Sequence, residues 1–203
     1  DACESRLKMQ LELKNKIIVA LGGASLNYDE ARDLYRGYYS KLKPYIKELF
    51  SLVQDGLKAD KHFLLEQAMG TFLDTDWGTY PFVTASTTIP SAASAGLGIP
   101  PRYITDVIGV TKAYTTRVGA GPFPTELIDA TGEKTRAVGD EYGATTGRPR
   151  RTGWLDLVAL RHAVRINGVQ DIALMKADVL DGFDEVKVCV GYKFAGKVCD
   201  TPP

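Results

Sequence analysis

GATTGRPRRTGWLD, residues 143–156, is the stretch from which the rest of the chain can be interpreted. Gly143 and Gly147 free the backbone, two adjacent threonines add hydroxyl groups, and three arginines surround Pro149. Guanidinium groups bind carboxylate or phosphate through two parallel charge-assisted hydrogen bonds. An apolar helical pattern starts at Trp154, so we expect the arginines to lie at a helix N-terminus, where backbone N–H groups also favour anions. The loop therefore predicts a site for a small anionic molecule.

Two other interpretations of the basic run stay open on residue types alone. Arg148 to Arg151 could form a solvated surface loop or a weak nucleic-acid patch, because short basic runs are common. The 203 residues carry 25 basic and 25 acidic side chains, so the formal net charge is zero. No overall field draws the protein to DNA, RNA or an anionic membrane, and we expect any anion binding to be local.

The apolar and cysteine content indicates an intracellular protein. No apolar run approaches the roughly 20 residues that cross a bilayer, and the first residues lack the apolar core of a signal peptide. We therefore expect a soluble, cytoplasmic protein with one sizeable core. Cys3, Cys189 and Cys199 lack metal-ligand spacing; the last two could face each other across a hairpin, but this compartment favours reduced thiols. The two histidines, His62 and His162, are expected to be structural or surface residues.

Residues 1–60 predict a helical section. Apolar residues at helical spacing over 4–21 indicate an amphipathic helix that ends at the following glycine pair. Asn27 or Ser25 is expected to cap a second helix with a stripe of leucines and tyrosines. Pro44 should kink or split that helix.

Residues 61–203 predict an α/β core with several loops rich in functional groups. Short apolar runs followed by glycine or polar residues are typical of buried parallel strands. The predicted elements are a buried strand at 62–66, an irregular functional segment at 71–88, a strand within 103–118, a fixed loop at 119–126, a helix at 154–167, a buried strand at 172–175 and a hairpin, from 185–190 and 193–198, around Ala195 and Gly196.

Lys176 and Asp178 follow the last buried strand and resemble the guanine-reading motif of GTPase-like proteins. A carboxylate accepts hydrogen bonds from both N1–H and the 2-amino group of guanine, while the lysine stem packs along the base. Adenine offers no such pair of donors. The motif is short, and a surface salt bridge between the two residues is the open alternative.

Several short motifs follow one another in a characteristic order. They are GT at 70–71, LDTD at 73–76, GTYPFVT at 78–84, KAYTTRVG at 112–119, GPFPTEL at 121–127, YGATTGRPRR at 142–151, GW at 153–154, DVL at 178–180 and VCVGYK at 188–193. Together they resemble the adenylosuccinate synthetase family, whose members join inosine monophosphate (IMP) to aspartate using GTP. The match is dense from about residue 62 onward and looser in the helical section.

The resemblance implies roles for individual residues. Arg148 would contact IMP and help to hold the aspartate carboxylates, Arg150 would face GTP, and Asp178 would read guanine. The implied contacts to IMP and aspartate are Met69, Thr84, Ala144, Thr145, Thr146, Gly147 and Arg148, and those to GTP are Arg150, Lys176, Ala177 and Asp178.

The resemblance also implies the fold, cofactor and partners. We expect an α/β fold with a mainly parallel central sheet of the P-loop GTPase-like type, an N-terminal helical section (1–60), and a nucleotide- and substrate-binding core (61–203) that ends in a β-hairpin and is part of one larger domain. The family is a cytoplasmic homodimer that uses Mg²⁺. It transfers the γ-phosphate of GTP to the carbonyl oxygen of the hypoxanthine ring, and the aspartate amine then displaces that group.

The sequence departs from the family pattern near two implied contacts. Met69 replaces a glutamine that binds IMP, and a thioether cannot donate a hydrogen bond as an amide does. After Thr84 the family pattern Ser-Ser-Asn-x-x-x-Gly-Gly is changed, with loss of an asparagine and two glycines.

The 203 residues also lack two family segments: a Gly-Asp-Glu-Gly-Lys-Gly-Lys loop, which carries the catalytic aspartate and a magnesium ligand, and an Asn-Ala-Gly-His segment with the catalytic histidine. We therefore expect a central piece of the enzyme, with no catalytic residue or metal ligand of its own, that does not turn over alone. The alternatives are an inactive remnant or regulatory module that binds purine nucleotides, and nucleic-acid binding through the basic run.

Overall fold

The computed structural model describes residues 2–202, which contain six α-helices and seven β-strands joined by short 3-10 helices and irregular segments. The chain divides into two units, the first ending at Leu52 and the second beginning at Val53. The domain boundary at residue 60 stays a prediction. The helices are α1 (Ala2–Ala20), α2 (Tyr28–Leu42), α3 (Leu49–Lys58), α4 (Ser91–Leu97), α5 (Ala130–Val138) and α6 (Leu157–Asn167). The strands are β1 (Ile108–Lys112), β2 (Tyr114–Arg117), β3 (Arg151–Asp156), β4 (Asp171–Met175), β5 (Val188–Cys189), β6 (Tyr192–Phe194) and β7 (Lys197–Cys199).

The first unit is helical, as its periodicity predicted. After α1 the chain turns at Gly22, whose φ of +83° favours glycine. Asn27 caps α2, because its side-chain oxygen accepts hydrogen bonds from the backbone N–H groups of Asp29 and Glu30 at 2.8 and 3.2 Å. Pro44 lies in a short 3-10 helix that separates α2 from α3, so the predicted split is confirmed.

The strands of the second unit form three small sheets. β1 pairs in parallel with β4; β3 pairs antiparallel with β2 and in parallel with β5; β6 and β7 form an antiparallel hairpin. The α/β class with parallel pairing is confirmed, although the strands are distributed over three sheets instead of one. The single strand predicted within 103–118 is two strands, which separate at Ala113 because β1 and β2 pair with different partners.

The C-terminal hairpin turns at Ala195 and Gly196, whose φ values are +47° and +78°. Positive φ at both central residues is what a tight two-residue hairpin requires, so the predicted turn is confirmed. The segment predicted as the first arm forms β5 instead and pairs with β3. Cys199 lies opposite Tyr192, not opposite Cys189, and both late cysteines carry free thiols.

Two predictions of buried strands were wrong. Residues 62–66 form no strand, and Leu64 is 94% exposed. β4 forms as predicted, but Leu174 is 54% exposed and Val110 of the neighbouring β1 is 75% exposed. A buried strand needs a backbone partner and a cover on its faces. The described residues give 62–66 no pairing strand and leave much of the β1–β4 sheet uncovered.

Asp74 organises the irregular segment 71–88. Its carboxylate is fully buried and accepts hydrogen bonds from the backbone N–H groups of Asp76, Trp77 and Thr88 at 2.9, 2.9 and 2.7 Å. Burial alone would raise the pKa of Asp74, but these donors together hold that pKa below its ordinary value. The carboxylate therefore fixes the loop instead of facing a ligand.

Asp74→Asn is expected to lower the free energy of unfolding by about 2 kcal/mol, because the amide nitrogen would face backbone N–H donors. Urea denaturation measures this loss, and Asp76→Asn, which changes an exposed carboxylate of the same loop, is the matched control. Because folding lowers the pKa of Asp74, the stabilisation is present above its ordinary pKa of 3.8 and is lost as the pH falls through the folded value. Equal losses in both variants would contradict this account.

Candidate functional site

The arginine loop, residues 142–149, is a tight loop whose two ends, Tyr142 and Pro149, pair in an antiparallel bridge. The Gly143 N–H donates to the Arg148 carbonyl and the Gly147 N–H donates to the Gly143 carbonyl, each at 2.8 Å. Gly147 has a φ of +65°. The predicted ligand contacts at 144–148 are all exposed. Among the described residues, the Arg148 guanidinium has no hydrogen-bond or ion-pair partner, so it is available to a ligand.

The arginines do not lie at a helix N-terminus. The helix predicted from Trp154 begins only at Leu157, and Asp156 caps it by accepting from the Ala159 N–H at 3.0 Å. Residues 151–156 form β3, because pairing with β2 on one side and β5 on the other overrides the helical pattern. Anion binding here would therefore depend on the loop's side chains and backbone, without the dipole of α6.

Glu141, at the base of the arginine loop, is fully buried and binds three cations and a phenol. Its Oε1 accepts hydrogen bonds from Lys112 Nζ at 2.7 Å and Tyr114 Oη at 2.5 Å, and its Oε2 accepts from Arg150 at 2.7 Å. Lys176 Nζ lies 3.4 Å from Oε1. Arg150 and Lys176, which the resemblance assigns to one nucleotide, thus meet on opposite oxygens of a single carboxylate.

The cluster keeps Glu141 ionised at all ordinary pH values. Burial alone would raise the pKa of Glu141, but hydrogen bonds from Lys112, Tyr114 and Arg150 lower it to about 2. Burial raises the pKa of Tyr114, and its hydrogen bond to Glu141 raises it further. Burial lowers the pKa of Lys112, against the opposing effect of Glu141. With three cations around one anion, the cluster carries an excess of positive charge.

Lys176 is held by two protein acceptors. Its backbone has a φ of +57°, and its Nζ donates to the Gly139 carbonyl at 2.5 Å as well as approaching Glu141. Gly139 has no room for a side chain, because a Cβ there would lie 2.5 Å from the Tyr114 oxygen. Asp178 is exposed, and its carboxylate accepts no hydrogen bond within the described chain. The alternative salt bridge between Lys176 and Asp178 does not form.

The predicted contacts Met69 and Thr84 lie in the irregular part of the second unit. Thr84 is half-buried and its backbone N–H donates to the Leu73 carbonyl at 2.8 Å. Met69 is 65% exposed with a φ of +71°. The amide of Gln67, the nearest substitute for the missing glutamine, donates to the Thr87 carbonyl at 2.8 Å and is thus engaged.

Arg117 joins the Thr84 segment to the arginine loop. Its guanidinium donates to Thr79 Oγ1 and the Phe82 carbonyl at 3.0 and 3.1 Å. Arg117 ends β2 opposite Arg151, the first residue of β3 and the one that follows the arginine loop and Arg150. The segment around Thr84, which Arg117 contacts, and the arginine loop therefore lie at the same end of the β2–β3 pair. Arg151 itself is structural, since it forms a bidentate ion pair with Glu126.

No three histidine, cysteine, aspartate or glutamate residues between 2 and 202 come together in a way that could hold a metal ion. Mg²⁺ needs only one or two carboxylates together with substrate phosphates, so the Mg²⁺ of the family stays an implication of the resemblance. No described helix combines the length and apolar character needed to span a membrane.

Sequence reasoning missed Glu141, the centre of the site. Glu141 lies outside any regular pattern, between Asp140 and Tyr142. The available signal was an acidic residue directly before an arginine loop, together with the alternation of Lys112 and Tyr114, whose side chains approach it from β1 and β2.

Comparison with known proteins shows the family to which the chain belongs. A family model described as adenylosuccinate synthetase matches residues 1–203. The adenylosuccinate synthetases of Trichlorobacter lovleyi and Clostridium beijerinckii are each 50% identical over 202 and 204 residues, which is 100% of this chain but 47% and 48% of theirs. A solved structure of fully ligated adenylosuccinate synthetase from Plasmodium falciparum is similar with a TM-score of 0.83 and 38% identity, over 96% of this chain and 46% of that one. The chain, which spans about half the length of these curated relatives, belongs to the adenylosuccinate synthetase family.

Proposed function

We propose that this chain supplies the IMP, aspartate and guanine-nucleotide binding surfaces of an enzyme that joins IMP to L-aspartate with conversion of GTP to GDP and phosphate. The observation that carries the proposal is the meeting of Arg150 and Lys176 on Glu141. It brings together two segments that are far apart in the chain and that the family resemblance assigns to one nucleotide.

The guanine side of the proposal rests on Lys176, Ala177 and Asp178. Because the Lys176 ammonium is bound to Gly139 and Glu141, its aliphatic stem is held in place as a surface for a planar base. The free carboxylate of Asp178 then accepts from the two adjacent donors of guanine. Arg150 keeps further N–H groups for the nucleotide beyond the one that binds Glu141.

The IMP and aspartate side rests on the arginine loop. The guanidinium of Arg148 can donate two parallel hydrogen bonds to the phosphate of IMP or to a carboxylate of aspartate. The hydroxyl groups of Thr145 and Thr146 are exposed beside it, and Ala144 and Gly147 leave the loop backbone open to a ligand. Thr84 and Met69 complete the proposed set of contacts.

Transfer of a phosphoryl group depends on positioning and charge neutralisation more than on covalent participation of the protein. When bound, Mg²⁺ would neutralise charge on the GTP phosphates; the described residues of this chain provide no cluster to hold it. This chain's own side chains bind and orient the reactants, and we expect no turnover by the 203 residues alone. The homodimer, the cytoplasmic location and the division at residue 60 are further proposals drawn from the family.

Calorimetric titration of the 203-residue chain tests the proposal. We expect saturable binding of IMP and of GTP, with GTP bound more tightly than ATP at equal ionic strength. Loss of all binding on raising the salt concentration, together with equal binding of RNA, would favour the nucleic-acid interpretation instead.

Arg148→Ala is expected to weaken IMP binding by about tenfold or more, because a charge-assisted bidentate contact is lost while no contact within the protein is broken. Calorimetry on the variant measures the change. Arg102→Ala is the matched control, since Arg102 is an exposed arginine that lies over the Tyr103 ring, outside the proposed site. A similar loss in both variants would show a diffuse charge effect and contradict the assignment.

A second candidate function, an inactive purine-nucleotide-binding remnant, is favoured by Met69. Its thioether lacks the donor of the family glutamine, and Gln67 is already bound to Thr87. Met69→Gln distinguishes the two: a gain in IMP affinity of about tenfold would support the remnant. Unchanged IMP affinity would show that binding does not need that amide.

A further inference from the structure

We infer that Glu141 is the positioning residue of the guanine-nucleotide site, holding Arg150 and Lys176 in a fixed geometry for one ligand. This inference rests on the proposed function. Glu141 does not touch the nucleotide in this role; it acts through the two cations that do.

The geometry of the carboxylate supports this role. Oε2 faces Arg150 alone, whereas Oε1 faces Lys112, Lys176 and the phenol of Tyr114. The two nucleotide cations therefore lie on opposite sides of one rigid, fully buried group. A ligand that spans them therefore meets two cations held by one shared carboxylate.

The surroundings prevent the carboxylate from moving. Arg150 is fixed at its backbone as well, because its N–H donates to the Glu141 carbonyl at 2.9 Å and its carbonyl accepts from Arg136 Nε at 2.7 Å. Tyr114, itself 2% exposed, donates to Oε1 from the start of β2. The Tyr114 hydroxyl packs so closely against Gly139 that a Cβ at that position would lie 2.5 Å from it.

Charge balance supports the same conclusion. Three cations crowded together repel one another, and only an anion among them allows them to share a small volume. Glu141 cancels one positive charge and leaves the rest for a ligand. The side chains of Lys112, Arg150 and Lys176 keep 28, 30 and 40% of their surface exposed, so the ligand can reach them while Glu141 stays hidden.

The test compares Glu141→Gln with the unchanged 203-residue chain by two measurements. Amine acylation with peptide mass spectrometry follows the reactivity of Lys176 against that of the exposed Lys193 and needs no nucleotide. Calorimetry follows the affinities for GTP and IMP. We expect Lys176 to be acylated about tenfold faster relative to Lys193, and GTP to bind about tenfold more weakly, with IMP affinity unchanged.

Two further variants separate positioning from stability. Glu126→Gln weakens the ion pair with Arg151 in the same sheet but contacts neither nucleotide cation, so GTP affinity should be retained. Glu141→Asp keeps the charge but is one methylene shorter, and is expected to restore part of the GTP affinity. It also supplies the measurement should Glu141→Gln fail to fold.

The outcomes are distinct. Unchanged labelling of Lys176, or a parallel loss of GTP and IMP affinity, overturns the positioning role while leaving the proposed function intact. Absence of GTP binding by the unchanged chain contradicts the proposed function and, with it, the nucleotide role of Glu141. Faster labelling with a selective loss of GTP affinity supports both.

Discussion

Replacing Glu141 by alanine is expected to lower the free energy of unfolding by about 3 kcal/mol, because three crowded, partly exposed cations then lose their buried counter-charge. Lys112, Arg150 and Lys176 would be left facing one another, and the Tyr114 hydroxyl would lose its acceptor. Urea denaturation of the 203-residue chain, followed by far-ultraviolet circular dichroism, measures the loss.

Glu126→Ala is the matched control for this loss. This variant removes a carboxylate that binds one cation, Arg151. The side chains of Glu126 and Arg151 keep 26 and 29% of their surfaces exposed. Glu126 is partly exposed and binds one cation, whereas Glu141 is fully buried among three, so we expect a loss of only about 1 kcal/mol. Equal losses in the two variants would contradict the central place given to Glu141.

The pH dependence of the free energy of unfolding tests whether the charge of Glu141 is what stabilises the cluster. Folding lowers the pKa of Glu141 from its ordinary 4.5 to about 2, so its stabilisation is present above pH 4.5 and is lost as the pH falls toward 2. The difference in stability between the unchanged chain and Glu141→Ala should therefore shrink across that interval. A difference that stays constant would show that the carboxylate charge is not what stabilises the cluster.

Local signals in the sequence predicted the parts of the fold that local chemistry decides. Asn27 caps α2 because its side chain reaches N–H groups two and three residues on, and Pro44 lies where that helix ends, because proline cannot continue it. Ala195 and Gly196 turn a hairpin because the two adopt positive φ. Such features depend on a few neighbouring residues, which the sequence displays directly.

Features that depend on distant partners could not be predicted. The stretch from Trp154 has an apolar spacing suited to a helix, but its first residues become a strand because β2 and β5 lie on either side. Residues 62–66 and the face of β4 were predicted to be buried, and they are exposed because the described chain does not cover them. Glu141 was missed, because its partners approach it from three different places in the chain.

The sequence motifs located the loops of the candidate site, but they did not predict that these loops would meet at one carboxylate. The family resemblance assigned Arg150 and Lys176 to one nucleotide, while nothing local indicated the group between them. The structure supplies that group as a buried carboxylate. Meanwhile Arg151, chemically identical to Arg150 and adjacent to it, is fully engaged by Glu126 and the carbonyls of Gly119 and Gly121.

Asp178→Asn is expected to lower the affinity for GTP by about 100-fold, because two charge-assisted hydrogen bonds to guanine are lost or reversed. The asparagine amide would face the 2-amino group of guanine with a donor of its own. Xanthine carries a carbonyl oxygen at that position, so the amide can donate to it. We therefore expect xanthosine triphosphate to bind the variant more tightly than GTP does.

Calorimetric titration of the unchanged chain and Asp178→Asn with GTP, xanthosine triphosphate and ATP is the most direct test of the central claim that this surface reads guanine. Asp184→Asn, a change at an exposed aspartate six residues further on, is the control. The account predicts a preference for GTP in the unchanged chain and in the control, and a reversal toward xanthosine triphosphate in Asp178→Asn. Equal affinities for the three nucleotides in every protein would contradict it.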